Sequence, residues 1–227
     1  MNEVILIKAI VFDRDGVIVD SEPMHAAANV IALEQYGLSM PAEYYLGFAG
    51  TTKYRMMEIL IERHNINATA GELCHAADLQ NDIIYEKDGF TEVSGVSDMV
   101  KRLHASGLKL AVASSSPYRD INNVLDYFHI KDYFQVILSG QDETFQPKPA
   151  PDIYINAVRK LGVEPFEAVA IEDTDTGLKS AYDAGLVCYG YRNIHSGNQT
   201  LSLARKIITD YNSIDNDYFQ WEEAVNE

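Results

Sequence analysis

Short apolar runs alternate along the chain with longer segments in which apolar positions recur every three or four residues. The continuous apolar runs predict fully buried strands, and the periodic segments predict amphipathic helices. Strands that alternate with helices favour parallel pairing, so the pattern predicts an α/β fold built on a doubly wound parallel sheet. The predicted strands are residues 9–12, 108–114, 134–139, 168–172, 186–191 and 206–209.

Glycine and proline mark the ends of the predicted helices. The periodic segments 95–107, 151–162 and 176–185 each stop at a glycine, and the second begins with Pro151. Proline near the start of a helix and glycine just past its end are the usual boundary residues. These three segments are therefore predicted to be the helices that connect the strands.

Residues 21–90 break this alternation, because helix-like segments follow one another there without a strand between them. The segments are 21–37, 51–65 and 71–89. Such a stretch is long enough to form an inserted α-helical cap domain. We therefore predict an α/β catalytic core made of residues 1–20 and 91–227, and a cap made of residues 21–90.

Composition narrows the classes of partner and compartment. The 227 residues carry a formal net charge of −16, which disfavours binding to nucleic acid or to an anionic membrane. The apolar start "VILIKAIVF" is too short to span a bilayer and lacks the features of a signal peptide, so it predicts a buried strand. Cys74 and Cys188 lack metal-type spacing and are expected to be reduced and buried, in a cytoplasmic protein.

Polar side chains stand where predicted strands end or where a predicted helix is about to begin. Ligands of such sheets bind beyond the carboxyl ends of the strands, so these side chains can converge on one site. Asp13 and Asp15 are two residues apart in extended chain and can address the same ligand. The full set is Asp13, Asp15, Ser114, Lys148, Glu172 and Asp173.

This set supplies carboxylates, a hydroxyl and a cation, which are the groups that phosphoryl transfer requires. A phosphoryl group is strongly anionic, so a carboxylate approaches it only where a cation and a metal neutralise the charge. Hard oxygen donors without a His or Cys cluster favour Mg²⁺. The sequence predicts a Mg²⁺ site that acts on a small phosphorylated metabolite.

The motifs around these residues resemble those of the haloacid dehalogenase superfamily, specifically its β-phosphoglucomutase-like branch with a helical cap. The resemblance covers nearly the whole chain and implies a Rossmann-like core with the cap inserted between the first two motifs. The four motifs, in order, are "FDRDGVIVDSEPMH" (12–25), "AVASSS" (111–116), "KPAPDIY" (148–154) and "AIEDTDTG" (170–177).

The resemblance also implies a role for each residue of the set. Asp13 would be the nucleophile that forms an aspartyl-phosphate, and Asp15 would act as general acid for the leaving group and then as general base. Ser114 and Lys148 would bind the phosphoryl oxygens. True dehalogenation is excluded, because members with that activity lack the second aspartate.

The implied Mg²⁺ ligands come from two of the motifs. Asp13, the backbone carbonyl of Asp15 and Asp173 would hold the metal, with Glu172 beside them. Arg14, between the first two aspartates, departs from the family, which usually has an apolar residue there. The sequence offers no reason for this arginine.

In the cap, the resemblance concerns the choice between a phosphatase and a mutase. The mutases grip a second phosphate with a Lys-Gly-x-Ser-Arg segment, whereas this chain has "AGTTK", with Ala49 in place of the lysine and Lys53 in place of the arginine. A lysine is a point charge and replaces a bidentate guanidinium poorly, so hydrolysis is favoured. Ser21 and His25 match positions at the cap hinge. The residues expected to act on the cap side are Ser21, His25, Thr51, Thr52 and Lys53.

The leading interpretation is therefore a Mg²⁺-dependent phosphatase of small phosphorylated metabolites, with sugar phosphates as the expected class. The alternative enzyme is a β-phosphoglucomutase, in which a sugar hydroxyl rather than water receives the phosphoryl group. A non-catalytic phosphometabolite-binding protein is disfavoured by the complete set of motif residues. A phosphonatase would need a cap lysine of lowered pKa, which nothing around Lys53 indicates. The physiological substrate and the oligomeric state stay open.

Overall fold

Strands and helices alternate along most of the chain in the computed structural model, which describes residues 3–48, 51–141 and 145–223. The strands are β1 (Glu3–Ile5), β2 (Ala9–Phe12), β3 (Lys109–Ser114), β4 (Val136–Ser139), β5 (Ala168–Glu172), β6 (Val187–Tyr191), β7 (Lys206–Ile208) and β8 (Trp221–Glu223). The helices are α1 (Glu22–Glu34), α2 (Ala42–Leu46), α3 (Lys53–His64), α4 (Ala70–Asp88), α5 (Val96–Ala105), α6 (Tyr118–Tyr127), α7 (Asp152–Leu161) and α8 (Asp175–Asp183).

The main sheet is parallel throughout and has the strand order β4-β3-β2-β5-β6-β7. Strand β2 is central, and all four of its residues are fully buried. Parallel strands covered on both faces read as unbroken apolar runs, which explains why they were recognisable. The predicted α/β fold with a doubly wound parallel sheet and an inserted helical segment is confirmed.

One apolar core of the sheet joins strand residues to helix α7. Val11 and Ala113 pack in a single buried cluster with Ile153, Tyr154 and other residues of the described core. Each fully buried aliphatic or aromatic side chain contributes about 1.5–3 kcal/mol by leaving water. This packing fixes the carboxyl ends of β2, β3 and β5, where the predicted site residues stand.

The structure differs from the predicted elements in three places. Helices α2 and α6 were not predicted; α6 buries only three apolar residues, Ile121, Val124 and Leu125, in a segment rich in polar side chains. The start of the chain is not one strand. Strand β1 pairs with β8 in a separate antiparallel sheet, and Leu6, which follows it, is exposed.

The described chain groups into two compact units by its internal contacts. The first combines the chain up to Val19 with Glu92–Asn193 and the chain from Thr200 onward. The second combines Asp20–Thr91 with Ile194–Gln199, a short segment that the predicted division assigned to the core. The proposed domain boundaries, 1–20 with 91–227 and 21–90, stay a prediction.

The helical unit has a core of its own. Buried Leu33, Met57, Leu60 and Leu73 belong to one apolar cluster contributed by α1, α3 and α4. At the start of α4, a reciprocal capping box joins Thr69 and Glu72. Such a cap satisfies two backbone donors that the first turn of a helix leaves without partners.

Two other expectations concern cysteines and membranes. Cys74 and Cys188 are both free thiols; Cys188 is buried as expected, but Cys74 is only partly buried, so its predicted burial is wrong. Cys74 lies on α4 and packs against the apolar cluster of the helical unit without being fully covered by it. Among the described helices, none has both the length and the apolar character needed to cross a membrane.

Candidate active site

Asp13 is a buried carboxylate directly after the central strand β2. Its backbone N–H continues the sheet pattern by donating to the carbonyl of Ile171 at 2.9 Å, and its side chain is next to the Nζ of Lys148, 2.8 Å from Oδ1. The pKa of Asp13 is raised to about 7, because burial and the charges of Glu172 and Asp15 raise it more than Lys148 lowers it.

Lys148 is the centre of the cluster. Besides Asp13, its Nζ donates to Oε1 of Glu172 at 2.6 Å and to the carbonyl of Ala113 at 2.9 Å. Burial alone would lower the pKa of Lys148, but the negative charges of Asp13 and Glu172 outweigh it and raise that pKa. The lysine therefore stays a cation between two carboxylates, which suits a group that binds an anion.

Glu172 ends strand β5 and is fixed from two sides. Its Oε1 accepts a hydrogen bond of 2.6 Å from the hydroxyl of Tyr154, and its carboxylate occupies the space beside Gly177 in the first turn of α8. A Cβ at Gly177 would lie 2.0 Å from the carboxyl carbon of Glu172. Burial, followed by the charge of Glu172, raises the pKa of Tyr154 well above its ordinary value, so this hydroxyl remains a donor.

Asp13, Glu172 and Asp173 form an acidic cluster whose carboxylate oxygens lie within 4.8 Å of one another. All three residues are buried. Burying several carboxylates together is unfavourable unless cations compensate them, and a set made of hard oxygen donors suits Mg²⁺. The residues present therefore fit a divalent cation.

Asp15 directs its side chain into a different set of contacts. Arg14 donates to Oδ1 of Asp15, and the hydroxyl of Ser116 donates to Oδ2 at 2.7 Å. Ser114, fully buried at the end of β3, accepts the backbone N–H of Ser116 at 3.1 Å. The predicted residues of the α/β unit thus lie at neighbouring strand ends, with Asp15 and Ser114 linked through Ser116.

The helical unit contains the hinge residues that the sequence singled out. Ser21 is fully buried immediately before α1, and its carbonyl accepts the backbone N–H of His25 at 2.9 Å. The ring Nδ1 of His25 lies 3.2 Å from Oδ1 of Asn81 on α4. Both predicted residues are therefore anchored in the helical unit, and their predicted roles stay predictions.

The "AGTTK" segment leads into helix α3. Ala49 lies outside the described residues. Thr51 is exposed, and Thr52 is the N-cap of α3, accepting the backbone N–H of Arg55 at 3.3 Å. Lys53 forms an ion pair with Asp78 of α4, so its charge already has a partner within the helical unit.

Three residues of the site were missed by reasoning from the sequence: Ser116, Tyr154 and Gly177. Tyr154 and Gly177 fall inside the third and fourth motifs, so the motifs contained them without showing their contacts. Ser116 is the last residue of the second motif, and its partner Asp15 is 101 residues away in the chain. Only the folded arrangement reveals such a contact.

Comparisons with known proteins identify the family of the chain. The family model described as haloacid dehalogenase-like hydrolase matches residues 10–190. A phosphorylated carbohydrates phosphatase of Thermotoga maritima is 28% identical over 197 residues, covering 86% of this chain and 89% of the relative. Protein CbbY of Rhodobacter capsulatus is 33% identical, covering 79% of this chain and 83% of the relative.

The solved structure of β-phosphoglucomutase from Clostridium difficile matches with a TM-score of 0.72, covering 94% of this chain and 95% of that one. At 22% identity this likeness shows the fold alone. The family model spans most of the chain, and the motif residues that it embraces meet at the ends of β2, β3 and β5. The chain therefore belongs to the haloacid dehalogenase-like hydrolases and has the fold of their β-phosphoglucomutase-like branch.

Proposed function

We propose that the chain is a Mg²⁺-dependent phosphatase of small sugar phosphates that works through a phosphorylated Asp13. As a haloacid dehalogenase-like protein whose named relatives include phosphatases, it is a phosphoric monoester hydrolase. The observation that carries the proposal is the buried Asp13 carboxylate, held 2.8 Å from Lys148 beside Glu172 and Asp173. Nucleophile, cation and metal-binding carboxylates are then adjacent.

Asp13 is the proposed nucleophile because its carboxylate is fixed and largely shielded from water. Contact with Lys148 on Oδ1 leaves the second oxygen, Oδ2, as the atom proposed to attack phosphorus. A desolvated anion that is held in place loses little freedom when it reacts, which lowers the barrier. Lys148 and the buried hydroxyl of Ser114 are proposed to hold the phosphoryl oxygens.

The proposed Mg²⁺ ligands are Asp13, Asp173 and the backbone carbonyl of Asp15, with Glu172 beside them. The ion would supply positive charge that neutralises the phosphoryl group and so lets the Asp13 carboxylate approach it. The rest of the chemistry belongs to the side chains of this chain.

The reaction is written as two displacements at phosphorus. In the first, Oδ2 of Asp13 bonds to phosphorus, the bond from phosphorus to the sugar oxygen breaks, and that oxygen takes a proton from the Asp15 carboxyl group. In the second, water attacks phosphorus and gives its proton to Asp15, while the bond from phosphorus to Asp13 breaks. Inorganic phosphate leaves, and Asp13 and Asp15 return to their starting states.

Sugar phosphates are the proposed substrate class because of the relatives and the charge distribution. The phosphatase of Thermotoga maritima is named for phosphorylated carbohydrates. A chain of net charge −16 attracts a phosphorylated sugar only through locally placed cations, and Lys148 is one. The ion pair between Lys53 and Asp78 weakens the mutase alternative, because it partly neutralises the cation expected to grip a second phosphate.

A phosphate-release screen tests the proposed function. The purified chain is assayed with Mg²⁺ against hexose, pentose, hexitol and glycolate phosphates, beside a coupled assay that converts β-glucose 1-phosphate to glucose 6-phosphate. We expect phosphate release from one or more sugar phosphates and little isomerisation. Isomerisation that exceeds phosphate release would replace the phosphatase with the mutase, and inactivity on every ester would overturn the proposal.

A further inference from the structure

Arg14 is a buried arginine between the two aspartates of the first motif. Only 3% of the residue's surface is exposed. Burying a guanidinium is costly unless charged or polar partners compensate it. The contacts of Arg14 therefore indicate what the side chain does.

Two contacts of Arg14 converge on Asp15. Its Nη1 donates to Oδ1 of Asp15 at 2.5 Å and to the hydroxyl oxygen of Ser116 at 3.2 Å. The Ser116 hydroxyl in turn donates to Oδ2 of Asp15 at 2.7 Å. Each oxygen of the Asp15 carboxylate thus has a donor, and the two donors contact each other.

We infer that Arg14, together with Ser116, is a positioning residue that fixes the Asp15 carboxylate for proton transfer. The inference rests on the proposed function, because Asp15 is the acid and base of that reaction. An unrestrained aspartate turns about two side-chain bonds, and proton transfer requires its oxygen within hydrogen-bond reach of the reacting atom. Two joined donors, one on each oxygen, restrict both rotations.

The same contacts connect Asp15 to the phosphate-binding side of the site. The backbone N–H of Ser116 donates to Oγ of Ser114 at 3.1 Å, and Ser114 is proposed to bind phosphoryl oxygens. A shift of Ser116 would therefore disturb both the proton-transfer group and a phosphate ligand. Arg14 also contacts Ser116 directly, because its Nη1 donates to the Ser116 hydroxyl oxygen.

A double-mutant cycle on kcat/KM tests this role. The variants are Arg14→Leu, Asp15→Asn and their combination. Each is measured with p-nitrophenyl phosphate and with a sugar phosphate that the unmodified chain hydrolyses. A misplacement of about 1 Å can cost about 100-fold, so we expect Arg14→Leu to lose roughly 10- to 100-fold with the sugar phosphate. The loss with the aryl ester should be smaller, because its leaving group needs less help from a proton.

The cycle separates positioning from a general effect on folding. If Arg14 acts through Asp15, adding Arg14→Leu to Asp15→Asn should lower kcat/KM by no more than about twofold. The control is Arg102→Leu, which removes a partly buried arginine that donates to the carbonyl of Ile214 at 2.7 Å. Arg102→Leu should change kcat/KM by the same factor in the unmodified chain and in the Asp15→Asn variant.

Two further variants keep the test decisive if Arg14→Leu folds poorly. Ser116→Ala removes the hydroxyl that joins Oδ2 of Asp15 to Arg14. Its kcat/KM should likewise fall more with the sugar phosphate than with p-nitrophenyl phosphate. Arg14→Lys, which retains a cation, should recover part of the activity. The inference would be overturned if the loss of kcat/KM in the Arg14 and Ser116 variants added in full to that of Asp15→Asn, or if it were equal for both esters. Either result would leave the proposed phosphatase function standing. An unmodified chain without activity on any ester would overturn the proposed function as well.

Discussion

Asp13 combines two properties that ordinary surface carboxylates lack, which are burial and a lysine that it shares with Glu172. The pKa of about 7 reflects the competition between burial, which raises it, and Lys148, which lowers it. Replacing Asp13 by asparagine keeps the size of the side chain and removes the nucleophilic oxygen. Lys148 would still contact Glu172, so the fold should tolerate the change.

The first prediction is that Asp13→Asn lowers kcat by at least about 10³-fold, because no covalent intermediate can form. Thermal unfolding should show a folded protein. Asp183→Asn is the matched control, since Asp183 pairs only with surface Lys179 among the contacts described for it, and its activity should be unchanged. Turnover within tenfold of the unmodified chain, which would be a difference of about 1.4 kcal/mol in barrier, would contradict Asp13 as nucleophile.

For single residues, the sequence predicted which residues belong to the site better than it predicted their side-chain contacts. Motif spacing was enough to select Asp13, Lys148 and Glu172, which lie together in the structure. It did not show that Arg14 contacts Ser116, because the two are 102 residues apart in the chain. Side-chain partners depend on strand order and rotamers, which periodicity does not encode.

Helix α8 shows how one element places a site residue. Its N-cap, Thr174, accepts the backbone N–H of Gly177 at 3.1 Å, and the Glu172 carboxylate fills the space where a side chain at 177 would stand. Glycine within a helix usually lowers stability relative to alanine by about 0.5–1 kcal/mol. At this position the glycine is required, since Glu172 cannot move without losing Tyr154 and Lys148.

The second prediction follows from that contact: Gly177→Ala should destabilise the protein and impair activity, contrary to the usual effect of alanine in a helix. Gly71→Ala in α4 is the control, because a Cβ there meets no atom within 4 Å. It should be neutral or stabilising by up to about 1 kcal/mol. The free energy of unfolding, measured with denaturant, and kcat are compared between the two variants. Equal changes in both variants would contradict the prediction, because they would mean that Glu172 can move away from a side chain at position 177.

The sequence predicted strands and helices correctly where a short segment carried a clear hydrophobic pattern of its own. Strands β2, β3 and β5 each contain four consecutive apolar residues, since both faces of the sheet are covered. The antiparallel pair β1 and β8 was missed, because its strands come from opposite ends of the described chain. Each strand also has only three residues, which is too few to show an alternating pattern.

At the scale of the whole molecule, negative charge is the dominant property. The formal net charge of −16 repels a phosphorylated substrate, so binding depends on concentrated positive charge at one place. Lys148 provides one such charge, and a cation bound by Asp13 and Asp173 would provide more. The proposed Mg²⁺ would therefore contribute to substrate binding as well as to the chemistry.

The third prediction concerns that metal. Excess chelator should abolish activity, Mg²⁺ should restore it, and Ca²⁺ should oppose it because its longer bonds and looser geometry misplace the phosphoryl group. A second measurement is independent of turnover: Mg²⁺ should raise the Tm of the unmodified chain and not that of Asp173→Asn. Full activity in chelator, or an equal rise in both Tm values, would contradict the assigned site.

The fourth prediction distinguishes hydrolysis from transfer between sugar hydroxyls. Losing one charge-assisted hydrogen bond to phosphate costs about 1.5–3 kcal/mol, which corresponds to about one to two decades in affinity. With Lys53 paired to Asp78, the chain should hold a bisphosphorylated sugar weakly, and water should react with phosphorylated Asp13. Supplied β-glucose 1-phosphate and β-glucose 1,6-bisphosphate should release mainly inorganic phosphate. Predominant glucose 6-phosphate would identify a mutase instead.

The central place of strand β2 also affects how the chain can fold during synthesis. Its two neighbours in the sheet are β3 (Lys109–Ser114) and β5 (Ala168–Glu172), so an apolar strand made near the start must wait for both. At the usual rates of translation, β3 emerges roughly 5–20 s after β2, and β5 roughly 10–30 s after it. During that interval the edges of β2 are open to other chains. Expression yield should therefore depend on chaperones and on translation speed more than the stability of the finished protein would suggest.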